Sequence, residues 1–157
     1  TILLHEKIIK KIGFSILRDL EENGCKIIGD SKIMKMYDGK VQKASSKDWS
    51  KEYLSPVVSV KTVKNLDEAI FHINKYGTMH TDCIITQNKK SAKKFMKNVK
   101  SSIAMHNTST QFADGGEFGF GAEVGISTNT LPPRGPVGLD QLVSYKYQIS
   151  SKGEIRK

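Results

Sequence analysis

Cysteine and arginine are both scarce in this chain, and each shortage bears on a class of protein. Its 157 residues include two cysteines, Cys25 and Cys83, with no C-x-x-C spacing. That is too few for a disulfide framework, so a reducing, cytoplasmic setting is expected. Arginine occurs only at Arg18, Arg134 and Arg156, and the net charge of +9 comes from lysines spread along the chain. The densest group, Lys89, Lys90, Lys93, Lys94 and Lys97, has helical spacing opposite an apolar face. It reads as solvated helix surface, and no nucleic-acid partner is expected. No apolar run approaches the ~18–20 residues of a membrane span, and no signal-peptide pattern is present. The four histidines, His5, His72, His80 and His106, lack metal-ligand spacing, so no metal site is expected. What is left, 38% hydrophobic and 26% charged, is ordinary for one globular domain. The chain opens at Thr1 inside the apolar run Ile2-Leu3-Leu4, which reads as part of a longer protein.

Periodicity supplies the architecture. Ile8, Ile12, Ile16 and Leu20 recur at four-residue spacing and predict an amphipathic helix over residues 5–22, stopped by Asn23-Gly24. A short strand is expected at 25–28. Residues 31–51 are irregular, with a turn at Asp38-Gly39. A β-branched strand follows at 56–63. Asn65 caps a helix through Tyr76, residues 83–86 form a strand, Asn88 caps a second helix, and 102–105 form a third strand. Ala92, Phe95, Met96 and Val99 make the apolar side of the second helix. Strand–helix–strand–helix–strand with short links implies parallel pairing, hence an α/β layered domain. Residues 107–138 form a long loop, with Phe112, Phe118, Phe120, Val124, Ile126 and Leu131 as apolar anchors. A last strand is expected at 142–149.

The residues alone take the chemistry only part of the way. Cys25 has no helix N-terminus ahead of it, and Cys83 lies in an apolar strand, so both read as structural. Asp82 near His80 reads as a hydrogen bond fixing the helix-to-strand loop. The run Gly115-Gly116-Glu117-Phe118-Gly119-Phe120-Gly121 lacks the ending of a P-loop. Two readings stay open for it: a tight loop permitting close backbone approach, or a set of amides lining an anion pocket.

Three segments carry a resemblance. The first runs from Val63 to Ile84, with Ala69, His72-Ile73, Tyr76-Gly77-Thr78 and His80-Thr81-Asp82 in register. The second is Asn107-Thr108-Ser109-Thr110-Gln111-Phe112 through Gly115, continued by Phe118-Gly119-Phe120-Gly121-Ala122-Glu123-Val124-Gly125-Ile126-Ser127-Thr128. The third is Arg134-Gly135-Pro136-Val137-Gly138-Leu139. Together they resemble the γ-glutamyl phosphate reductases of the aldehyde dehydrogenase superfamily, over essentially the whole chain.

The resemblance implies NADPH-dependent reduction of L-glutamyl 5-phosphate to L-glutamate 5-semialdehyde, with phosphate release, in proline biosynthesis. It implies the C-terminal part of an aldehyde-dehydrogenase-like catalytic domain over residues 1–140, three-layered with a largely parallel sheet. Residues 141–157 would be a closing strand and tail of an oligomerisation or interdomain sheet, with a homo-oligomer as the expected assembly. Glu52-Tyr53-Leu54-Ser55-Pro56-Val57 resembles the superfamily's Glu-x-Phe-Gly-Pro-Val motif, which assigns cofactor binding to Glu52. Asn107, Ser109, Thr110, Gly119, Gly121 and Arg134 are the expected substrate contacts. The family's nucleophilic cysteine aligns with neither Cys25 nor Cys83 and is expected upstream of Thr1, as is the dinucleotide-binding domain. The fragment alone is therefore expected to be inactive. Two positions depart from the family pattern: Gln111 stands where an arginine is usual, and Pro132-Pro133 where His-Ala is usual. A non-catalytic remnant or regulatory paralogue of the same fold is the alternative reading.

Overall fold

In the computed structural model, which describes residues 1–123, 130–153 and 155, the backbone builds two parallel ladders with helical crossovers. The first holds β1 (Ile2–His5), β2 (Lys26–Gly29), β3 (Val41–Lys43) and β4 (Val57–Val63), in the order β1-β4-β2-β3. Ile27 stands opposite Val58, and Ile2 opposite Val60. The β-branched residues of these strands meet Leu4, Ile9, Leu17, Ile33 and Tyr37 in one core. The second ladder pairs β5 (Thr81–Ile84) with β6 (Ile103–His106). It packs against α3 (Leu66–Tyr76) and α4 (Lys89–Asn98), around Ile70, Phe95 and Val99. The α/β class and the parallel strands agree with the sequence reading, although β4 does not pair with β5 and β6 in one continuous sheet.

Local chemistry explains the regular part. Asn65 Oδ1 accepts the Glu68 amide at 2.9 Å, and Asn88 Oδ1 accepts the Ser91 amide at 3.0 Å. Each begins its helix where the capping signal places it. Ala92, Phe95 and Val99 are buried on α4, whereas Met96 is 42% exposed.

Elsewhere the expectations are corrected. Residues 5–22 are not one α-helix. β1 runs through His5, a π-helical turn covers Ile9–Gly13, and α1 spans Phe14–Glu22. The π-turn replaces four-residue by five-residue hydrogen-bond spacing, which rotates the apolar stripe. Ile9 and Leu17 are therefore buried, while Ile8 and Ile12 are exposed. The irregular stretch 31–51 contains α2 (Ser31–Met36), β3 and a 3₁₀ turn (Ser46–Ser50). α2 exists because Asp30 Oδ1 accepts the amides of Lys32 and Ile33, while its Oδ2 takes the amide and hydroxyl of Thr62 on β4.

Residues 142–149 were expected to form a strand, and they have no ladder partner among the described residues. Every residue from 142 to 149 is exposed, and the rings of Tyr145 and Tyr147 meet edge to face at 5.3 Å. The loop anchors are also corrected: Phe112, Phe118, Phe120 and Leu131 are all exposed. Val124 and Ile126, and the motif from Val124 to Thr128, lie outside the described residues.

Candidate functional site

The segment carrying Glu52 is fixed from both sides. Before it, Asp48 Oδ2 accepts the Ser45 amide at 2.7 Å and the Ser45 hydroxyl at 2.6 Å. These bonds hold the Asp48 carboxyl below its ordinary pKa, with the Tyr53 hydroxyl adding to them. Trp49 packs edge-on against His72 at 5.5 Å, and Tyr76 lies 4.7 Å from His72 on its own helix. His72 is 5% exposed, and its Nε2 has no partner among the described residues. Burial, with Lys61 nearby, lowers its pKa to about 4, so the ring is neutral at neutral pH. After Glu52 the backbone turns sharply: Leu54 has φ 50° and is 89% exposed.

Glu52 is exposed and carries no hydrogen bond or ion pair among the described residues. It lines an open cleft of about 420 Å³ with Thr78, His80 and Thr81. His80 Nδ1 lies 2.6 Å from Thr81 Oγ1. A free carboxylate facing two hydroxyls and an imidazole is a donor–acceptor set suited to a polyhydroxylated ring. Thr78, His80 and Thr81 received no role from the sequence; their place inside the 63–84 signature was the available signal. Asp82 pairs with the Ser101 hydroxyl rather than with His80, and burial pushes its carboxyl above its ordinary pKa.

The second group of expected residues lies at the other end of the β5–β6 ladder. Asn107, at φ 54°, follows β6 directly. Its Oδ1 accepts the Thr86 amide at 2.8 Å, and its Nδ2 donates to the Thr86 carbonyl at 2.9 Å. That side chain clamps the chain beyond β5. Ser109 Oγ accepts the Gln111 amide at 3.2 Å and caps the 3₁₀ turn Thr110–Phe112. Thr110 and Gln111 are exposed beside it. Cys83 Sγ donates to the Thr108 carbonyl at 3.1 Å, so the thiol supports this wall from behind.

The glycine run is a tightly hydrogen-bonded loop. Among the described residues six of its seven amides are bonded: Gly115 to Glu123 Oε2 at 2.9 Å, Gly116 and Glu117 to Asp114 Oδ1, Phe118 to the Asp114 carbonyl, Gly119 to the Gly116 carbonyl, and Phe120 to the Gly115 carbonyl. Gly119 and Gly121 have φ of 77° and 76°, a region L side chains rarely adopt. Arg134 donates to the Lys100 carbonyl, and Ser102 Oγ donates to the Gly135 carbonyl. Ser102 N also bonds the Met79 carbonyl, so Arg134 lies toward the Glu52 end and apart from Asn107–Thr110. Among the described residues no three His, Cys, Asp or Glu side chains could hold a metal ion.

The sequence model of the aldehyde dehydrogenase family matches residues 40–126, which include Glu52, the cleft wall and Asn107–Thr110. The chain belongs to the aldehyde dehydrogenase family. Among curated members, it is 47% identical over 157 residues to γ-glutamyl phosphate reductase of Bacillus mycoides, covering 100% of this chain and 38% of that protein. It is 50% identical over 155 residues to γ-glutamyl phosphate reductase of Prochlorococcus marinus, covering 99% and 35%. The crystal structure of γ-glutamyl phosphate reductase from Thermotoga maritima superposes with a TM-score of 0.91 at 42% identity, over 99% of this chain and 37% of that one. This aldehyde dehydrogenase family chain thus spans little more than a third of the length of the relatives it matches. Within that span the free Cys83 thiol bonds backbone carbonyls.

Proposed function

We propose that this chain is the C-terminal part of a γ-glutamyl phosphate reductase, which reduces L-glutamyl 5-phosphate to L-glutamate 5-semialdehyde with NADPH and releases phosphate, in the cytoplasmic proline-biosynthesis route. What carries the reading is the match of the whole chain, at 46–50% identity, to relatives that bear that name. The nucleophilic thiol and the dinucleotide-binding domain belong to the longer protein, and residues 1–157 alone are expected to be inactive.

In this reading the chain supplies one side of each binding event. The exposed Glu52 carboxylate accepts hydrogen bonds from the ribose hydroxyls next to the nicotinamide, and Thr78, His80 and Thr81 form the facing wall. The unpartnered carboxylate and adjoining hydroxyls fit such a diol. NADPH, when bound, supplies the hydride. Thr110 and the exposed edge of the 3₁₀ turn face the acyl chain, while Asn107 and Ser109 hold that turn in place. Gly119 and Gly121 shape the loop behind it, and Arg134 anchors its return along Lys100. Residues 142–149 pair as a strand with another part of the assembly, giving a homo-oligomer.

The test is reverse turnover by the full-length enzyme, with semialdehyde, phosphate and NADP⁺. Glu52→Gln weakens charge-assisted hydrogen bonds and is expected to raise the KM for NADP⁺ about tenfold, since each such bond contributes about 1.5–3 kcal/mol. Unchanged cofactor kinetics would remove Glu52 from the site. A second reading, a non-catalytic paralogue, is favoured by one residue: Gln111 lacks the cation an acyl phosphate would attract. Full-length protein with its upstream cysteine intact and no measurable turnover would select it.

A further inference from the structure

Glu52 belongs to no helix or strand; it lies between the 3₁₀ turn Ser46–Ser50 and β4. Its placement must therefore come from side chains around it. Tyr53 supplies the connection. Its hydroxyl donates to Asp48 Oδ1 at 2.9 Å and lies 2.8 Å from Oγ of Ser59, a β4 residue only 1% exposed. Ser59 Oγ also reaches the Asp48 carbonyl at 3.0 Å. Asp48 is held in turn by Ser45. The turn, Tyr53 and β4 thus form one closed hydrogen-bonded ring. With Tyr53 anchored inward, its two neighbours Glu52 and Leu54 are both exposed. Leu54 keeps a left-handed φ of 50°, a conformation that persists only where the surroundings over-determine it.

We propose that Tyr53 is a positioning residue: its hydroxyl, locked between Asp48 and Ser59, fixes the backbone that presents Glu52 to the cofactor ribose. The proposal rests on the cofactor reading of Glu52 given above. Groups that bind are held in productive geometry by supporting hydrogen bonds behind them, and loosening that support weakens binding without touching the reacting atoms.

The experiment uses full-length enzyme and reverse turnover. Tyr53→Phe keeps the ring and removes the hydroxyl; the KM for NADP⁺ is expected to rise about 5-fold, with kcat at saturating NADP⁺ and the KM for semialdehyde within about 2-fold. Ser59→Ala, which removes the buried partner and leaves Tyr53 intact, should move the same constant in the same direction. Combining Tyr53→Phe with Glu52→Gln should be no worse than Glu52→Gln alone, because both act on one contact. If the two effects multiply, or if both Tyr53→Phe and Ser59→Ala leave KM unchanged while Glu52→Gln raises it, the positioning role is overturned and Glu52 keeps its place. If Glu52→Gln leaves KM unchanged, the cofactor reading fails first and takes the proposal with it.

Discussion

Two titratable side chains make the stability of this chain sensitive to acid, for different reasons. His72 is buried as a neutral ring, with its pKa lowered from 6.5 to about 4. Between those values the unfolded chain takes up a proton that the folded chain refuses, so stability rises with pH across that window and is lost on acidification. His72→Phe keeps an aromatic partner for Trp49 and removes the orphaned Nε2. Thermal unfolding from pH 4 to 6.5 should then show a flatter Tm curve, and a parallel curve would contradict the assignment. Asp30 differs in mechanism. Burial opposes its charge, but four hydrogen bonds, to Ile33, Lys32 and twice to Thr62, outweigh that and lower its pKa. Its contribution is present above the ordinary carboxylate pKa and disappears as the pH falls through the lowered one. Asp30→Ala removes a helix cap and a link to β4 together, for an expected loss of about 3 kcal/mol in denaturant unfolding. A loss below about 1 kcal/mol would mean that α2 does not need this cap.

At the scale of elements, residues 142–149 are exposed throughout and have no ladder partner among the described residues. Removing residues 142–153 from the full-length enzyme should lower its mass in light scattering; an unchanged mass would dissociate this segment from assembly. The comparison with sequence is sharpest at this scale. α3 and α4 are legible because Asn65 and Asn88 are local caps and ten or more residues of periodicity follow each. α2 and β3 are not, because six and three residues carry no period. α2 starts on the local Asp30 cap, which Thr62 holds in place from 32 positions away, and β3 forms only by pairing with β2. The π-turn at Ile9–Gly13 is likewise invisible to a count that assumes constant helical pitch. Of the candidate site, Glu52 is singled out by its motif, and the structure leaves it exposed at the cleft. The clamp of Asn107 on Thr86 is not, since the partner is 21 residues away and is a backbone group that any residue would supply.

For the whole molecule, the proposed reading gives the chain one side of a cofactor site and one side of a substrate site. NADP⁺ at saturating concentration should raise the Tm of the full-length enzyme and leave that of residues 1–157 within about 1 °C, because only a ligand with a finished site stabilises the fold by mass action. Equal shifts would mean that this region alone binds cofactor. The separation of Glu52 from the Asn107–Thr110 wall carries a different consequence. They are held apart by β5 and β6, each four residues long and paired from Thr81–Ile103 to Ile84–His106. That ladder works as a gauge block. Inserting one residue in β5 would displace one end by ~3.3 Å and turn every following side chain to the opposite face. Surface loops absorb added length at little cost. Across an insertion–deletion library of the full-length enzyme, tolerated length changes should therefore gather in the loop beyond Phe112 and be absent from β5 and β6.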